Sequence, residues 1–192
     1  MGFSIAWIGF PHSQAASTLR ELNLHVTAEL DPYMDKAPLS YGDMPGGWSI
    51  IFANDMDWVS EDKVRRLAVH RDVLAVWVEE HTDFWGTAYY SQGAPVWRVY
   101  RDTAQDDKLH VDGQLPAQYS HFVDAKAQQA WADGWAHFDP HKGLPVAEAI
   151  QVAEAITGFR HDRLDYPWGK AQFHVLATGF TDPVKAPTDQ SM

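Results

Sequence analysis

An unbroken apolar run occupies residues 73–78, which read Val, Leu, Ala, Val, Trp, Val. A strand wetted on one face alternates apolar and polar side chains. A continuous run of this length predicts a strand covered on both faces, and it is too short to span a membrane. The run stops at Glu79, Glu80 and His81, where burial must end or the charges must find partners. Residues 84–90 follow, rich in aromatic and β-forming side chains, and residues 91–95 carry turn chemistry around Gly93. Residues 96–101 then supply a second aromatic strand. The pair predicts an antiparallel hairpin with Tyr89 opposite Trp97.

The segment before this meander predicts a helix. Ser60 is placed as its N-cap, and Glu61 and Asp62 put negative charge on the first turn. Arg65, Arg66, His70 and Arg71 lie toward the other end. Val59 and Val64 have the spacing of a hydrophobic staple, and Val64, Leu67 and Ala68 form a narrow apolar stripe. The stretch 46–102 therefore organises the chain, with Trp77 expected to be buried on its central strand.

Weaker patterns flank it. Residues 3–10 predict a strand holding Trp7, for which parallel pairing is an option. Ala15, Ala16, Leu19 and Leu22 give one apolar face of a short helix. Val26, Ala28 and Leu30 alternate along a short strand. Residues 109–111 predict another. Val123, Ala127, Trp131, Trp135 and Phe138 follow a helical period. A further helix over 145–157 starts with Pro145 and stops at Gly158. It buries Val146, Ala149, Ile150, Ala153 and Ile156, and turns Glu148, Gln151 and Glu154 to water. Residues 171–178 predict a last strand. The fold class that results is α+β, a twisted and mainly antiparallel sheet with helices packed on it, the alternative being a ferredoxin-like arrangement. Residues 1–179 are read as one domain and 180–192 as a flexible tail.

Residues 31–47 interrupt this regularity with Pro32, Pro38, Pro45, Gly42, Gly46 and Gly47. Long irregular segments inside compact domains often carry function. This one holds Tyr33, Met34, Tyr41 and Met44 among Asp31, Asp35 and Asp43. Tyr33, Met34, Tyr41, Met44, Asp35 and Asp43 are accordingly candidate binding residues for a basic partner. The bland reading is a loop folded over the sheet, with those side chains as a satellite core.

Charge sharpens that picture. The formal net charge is -11, from 15 basic and 26 acidic residues. It disfavours nucleic acid and anionic membranes and fits a basic partner or simply solubility, the scattered charge reading first as a solvated surface. Cysteine is absent, which excludes disulfides and thiolate chemistry. The N-terminus is a poor signal peptide, so a cytoplasmic protein is expected. The nine Trp exceed what a core of this size needs, which points to a groove or an interface.

The ten His are the main chemical signal. Glu79, Glu80 and His81 are the candidate acid–base residues, since a carboxylate can orient a neighbouring imidazole and raise its pKa. His137, Asp139 and His141 are weak candidates for a metal site, because Pro140 breaks the helix and the two His need not share a face. No nucleophile elbow, P-loop or dinucleotide fingerprint is present, and no cofactor is expected. Two functions result. One is a non-catalytic protein-binding domain with an acidic, aromatic-rich surface, for which neutralising a basic toxin is one example. The other is a small hydrolase-like enzyme that uses His and carboxylates, with or without a metal.

Overall fold

The computed structural model describes residues 4–106, 108–137, 147–163 and 165–179. Its strands are β1 (Ser4–Pro11), β2 (Leu24–Leu30), β3 (Leu39–Met44), β4 (Trp48–Ala53), β5 (Val73–Glu79), β6 (Phe84–Ser91), β7 (Ala94–Asp102), β8 (Leu109–Gly113), β9 (Asp165–Tyr166), β10 (Gly169–Lys170) and β11 (Phe173–Thr178). Its α-helices are α1 (Ala15–Glu21), α2 (Glu61–Leu67), α3 (Ala125–Ala136) and α4 (Glu148–Thr157). The fold class is α+β. A nine-stranded sheet runs in the order β2-β11-β3-β4-β1-β5-β6-β7-β8, and β9 and β10 form a separate ribbon. The long sheet replaces the ferredoxin-like alternative.

The middle of the sheet is β1, not β5. It pairs antiparallel with β4 on one side and β5 on the other, so parallel pairing of the first strand does not occur. Two neighbours and two covered faces bury Ile5 to Phe10 almost completely. Ile5 and Trp7 point into one hydrophobic layer with Phe52, Leu74, Val76, Trp85, Ile150 and Phe159. Ala6, Ile8 and Phe10 point into the other with Leu19, Ile51, Val64, Leu67 and Ala75. The final strand, β11, buries Phe173 toward the first layer and Leu176 toward the second.

Local signals explain several elements directly. Ser60 is the N-cap of α2, and its hydroxyl accepts the Lys63 backbone N–H at 3.4 Å. Val59 and Val64 are both buried in the same cluster. Tyr89 pairs with Trp97, and the two rings stack 5.8 Å apart at 8°. Gln92 and Gly93 both take positive φ, the geometry that matches a hairpin to the twist of its strands. Gly158 closes α4 in the left-handed conformation. Pro145 and residues 180–192 lie outside the described residues.

Two expectations fail here. Residues 31–47 are not an irregular loop, because β3 lies within them, paired with β4 and β11. The turn before β3 is tied by buried Asp31. Its carboxylate accepts the backbone N–H groups of Asp35 and Lys36 at 3.0 and 3.2 Å and the Ser40 hydroxyl at 2.6 Å. Glu148 does not face water. It is 0% exposed and bonds Arg101, itself 4% exposed, at 2.8 Å. Arg101 lies on the core-facing side of β7, and its guanidinium sits 3.8 Å from the centre of the Trp131 ring. Glu148 belongs to the first turn of α4, where a carboxylate also suits the helix dipole.

Two stability measurements follow from these contacts. Ser60→Ala removes the cap and should lower the unfolding free energy in urea by about 1 kcal/mol. Glu148→Ala strips the buried Arg101 of this carboxylate and should cost about 3–5 kcal/mol. Replacing both, as Arg101→Met with Glu148→Leu, should cost clearly less than Glu148→Ala alone. Equal losses from the single and the double change would deny the pair its role.

Candidate functional site

Strand registers place a set of side chains on one face of β5, β6, β7 and β8. Trp77 pairs with Gly86, Gly86 with Tyr100, and Tyr100 with His110. One row along, Ala75, Ala88, Arg98 and Asp112 align in the same way. On the other side the row is Glu79, Phe84 and Asp102. Since side chains alternate across a strand, all of these share one face. The rows alternate bulky and minimal residues, so aromatic walls stand around a floor of Gly86 and Ala88.

The result is a cavity of about 370 Å³, bordered by Trp77, Phe84, Tyr90 and Tyr100 and by Met56, Val59 and Glu61 beside α2. This volume lies within the range of small-ligand pockets. Gly86 is required by its neighbours. A Cβ there would meet the tip of the Phe84 ring at 3.2 Å and the Tyr100 Cβ at 3.5 Å. Trp77 is half-buried rather than buried as the apolar run implied, and one edge of its indole borders the cavity. Its Nε1–H donates to the Val59 carbonyl at 2.8 Å, which fixes the ring.

Charged groups hold the rest of the wall. Glu61 accepts from Arg65 at 2.7 Å and from Arg98 at 2.5 Å, and those two cations keep its carboxyl below the usual range. Arg98 also donates to the Tyr90 hydroxyl at 3.4 Å. Burial raises the Tyr90 phenol above its ordinary pKa, so it stays protonated. Tyr100 stacks on His110 at 4.9 Å and 13°, and His110 Nε2 lies 2.9 Å from the Asp106 carboxylate. Asp112 and Asp102 stand on the outer strands of the same face. The groove is thus lined for contact with a flat or apolar group. Glu61, Arg98, Tyr90 and His110 are engaged in holding its shape.

The residues singled out from sequence are dispersed. Glu79 accepts hydrogen bonds from the Ser4 side chain and, at 3.0 Å, from the His81 backbone N–H, and these lower its pKa. His81 is exposed in the turn after β5, so Glu79 and His81 do not share a strand face. Glu80 lies in that turn as well. The three make a strand end rather than an acid–base pair. His137 is exposed and bonds the Asp133 carbonyl, while Asp139 and His141 lie outside the described residues. Among the described residues no group of three or more potential ligands could hold a metal ion.

Of the six candidate binding residues, Met34, Tyr41 and Met44 are buried and cannot face a partner. Tyr33 is 63% exposed, and Tyr33, Met34 and Asp35 border a second cavity of about 260 Å³ with Asn54, His161 and Asp162. Asp43 anchors a polar network instead. Its Oδ1 accepts the Tyr41 hydroxyl at 2.5 Å and the Ser49 hydroxyl at 2.6 Å, and His12 Nδ1 lies 2.9 Å away. Burial works to raise the Asp43 pKa, but the hydrogen bonds from Ser49, Tyr41 and His12 outweigh it and hold the carboxyl low.

Comparison with protein-family models, with curated proteins and with solved structures gives no match.

One titration belongs to the second cavity. Burial pushes the His161 imidazole down to about 4, against the attraction of Asp162. The unfolded chain has an ordinary imidazole near pH 6.5. Between about pH 6.5 and 4 the unfolded state therefore takes up a proton that the folded state refuses. Stability should fall as pH drops through that window, by a few kcal/mol at roughly 1.4 kcal/mol per unit. Urea midpoints measured across it should show a shallower slope for His161→Gln than for the parent chain.

Proposed function

We propose that the protein is a non-catalytic binding domain, and that the groove on β5–β8 receives an anchoring side chain from a basic protein partner. The observation that carries this reading is the aromatic lining around a glycine and alanine floor. Buried aromatic anchors in desolvated pockets account for most of the energy of typical interfaces. A net charge of -11 draws a basic partner over long range, and Asp102 and Asp112 extend that field to the face holding the groove. Neutralisation of a basic protein, such as a toxin, is one use of such a surface. An arginine or an aromatic side chain suits the groove best, because either presents a flat face to Trp77, Phe84 and Tyr100.

A hydrolase reading has one observation in its favour, the approach of His12, Asp43 and Ser49. However, the same ring nitrogen, Nδ1, lies 2.9 Å from Asp43 and 3.1 Å from Ser49. A nucleophile relay needs the two ring nitrogens on different partners. Ser49 is also fully buried, and its hydroxyl donates to Asp43. The network accounts better for the pairing of β3 and β4 than for catalysis.

The test is a library of basic peptides with single Arg or aromatic anchors, screened on the purified chain. Tyr100→Ala and Gly86→Val should each weaken a selected peptide by about tenfold or more, mainly through faster dissociation. Added salt should slow association. Glu29→Ala, exposed on the far edge strand, should do neither. Binding indifferent to salt and to both groove changes would reject the groove. Turnover of an ester or amide substrate that is lost in His12→Ala would favour the hydrolase.

A further inference from the structure

We propose that the protein self-associates through the outer edge of β8, two copies pairing antiparallel about a two-fold axis at Val111. The first support is the direction of the backbone. The Thr103 N–H donates to the Asp83 carbonyl, and the β6–β7 register continues from that pair. Peptide groups alternate direction along a strand, so those of Trp97, Val99 and Arg101 face β6, and those of Arg98 and Tyr100 face β8. Asp112 and His110, their partners, face inward. The N–H and carbonyl groups of Leu109 and Val111 are left pointing outward along the free edge, and Gly113, at positive φ, ends the regular stretch.

The second support is self-complementarity. Pairing about Val111 sets Val111 against its own copy, at a position that exchanges backbone hydrogen bonds, and Leu109 against Gly113. It sets His110 of one copy, whose Nε2 already meets Asp106 of its own chain, against Asp112 of the other, at the positions where opposed side chains approach most closely. Val111 is 41% exposed and would gain an apolar neighbour. A two-fold interface must be complementary to itself, and the centre of this strand, from His110 to Asp112, meets that condition.

The third support is the contrast with the other edge. On β2, Val26 and Leu30 lie opposite Leu176 and His174, so two residues beyond the regular register bulge out of the strand. Lys36 Nζ also occupies the Leu30 carbonyl at 2.6 Å. Bulges and lysines are the usual devices that protect a free edge. Along β8 the register with β7 is unbroken, and among the described residues no bulge interrupts it and no lysine is bonded to an outward carbonyl.

Pairing would make one continuous sheet of the two copies and bring their grooves onto a single face. The self-association needs no groove ligand and stands apart from the binding reading. Sedimentation equilibrium of the full chain over a range of concentrations should show a monomer–dimer equilibrium. Val111→Pro removes an outward N–H that β7 does not use and should weaken the dimer by about tenfold or more, as should Asp112→Lys. His110→Asp should also weaken it, while the exchange His110→Asp with Asp112→His recreates the pair and should restore it. Trp77→Ala, within the groove, should leave it unchanged. A chain that stays monomeric at every concentration overturns the proposal. A dimer untouched by Val111→Pro and by both charge changes overturns it too, and the charge exchange decides the matter if the proline variant fails to fold.

Discussion

The double pairing of β1 is the constraint on which the sheet depends. β4 and β5 meet only through it, so the half built from β2, β11, β3 and β4 and the half built from β5 to β8 share no other ladder. The N-terminal strand must therefore be both apolar on its two faces and free of charge between Ile5 and Phe10, as it is. β11 plays a similar part between β2 and β3 from the other end of the chain. Contacts of such sequence separation incur loop-closure entropy before they return any stabilisation, and they make folding slow for a chain of this size.

Around that frame the two faces are covered unequally. On one, α4 lies across β5, β6 and β7 and is pinned by the Arg101–Glu148 pair. Removing an ion pair of this kind from water is expensive, and the Trp131 ring and the start of α4 offset part of that cost. On the other face α1 and α2 are short, and each has seven residues. They bury the part of the sheet around β1 and stop short of β7 and β8. The groove is the uncovered remainder. It keeps its shape because Trp77 is bonded to Val59, Tyr100 is stacked on His110, and Arg98 is held by Glu61.

Much of this was legible where one short signal decides one element. The Ser60 cap, the Val59 and Val64 staple, the Gln92–Gly93 turn and the Gly158 stop all act within a few residues. The Tyr89 and Trp97 pairing even fixes the β6–β7 register, from which Gly86 opposite Tyr100 follows. The groove was still missed, because Trp77 joins them only through the β5–β6 register. The turn between those strands, with Asp83 at positive φ, has no standard length or residue pattern to set it. β3 was hidden for a different reason. Its Ser40, Gly42 and Asp43 give no apolar alternation, and the surrounding prolines and glycines read as loop. Glu148 was misplaced because a helix's polar stripe looks the same whether water or a buried arginine lies beyond it. Only the placement of Arg101 on the inward side of β7 tells the two apart.

On the proposed binding reading, the acidic character of the chain and the aromatic character of the groove have separate jobs. Inside the groove, Glu61 is already matched by Arg65 and Arg98, so little net charge remains at the point of closest contact. Desolvating a neutralised wall costs far less than desolvating a bare carboxylate. For a basic partner of the kind proposed, the long-range field of the surface would raise the encounter rate without a large desolvation penalty at the contact. On that reading selectivity is left to shape, set by the Gly86 floor and by the Phe84 and Tyr100 rings beside it.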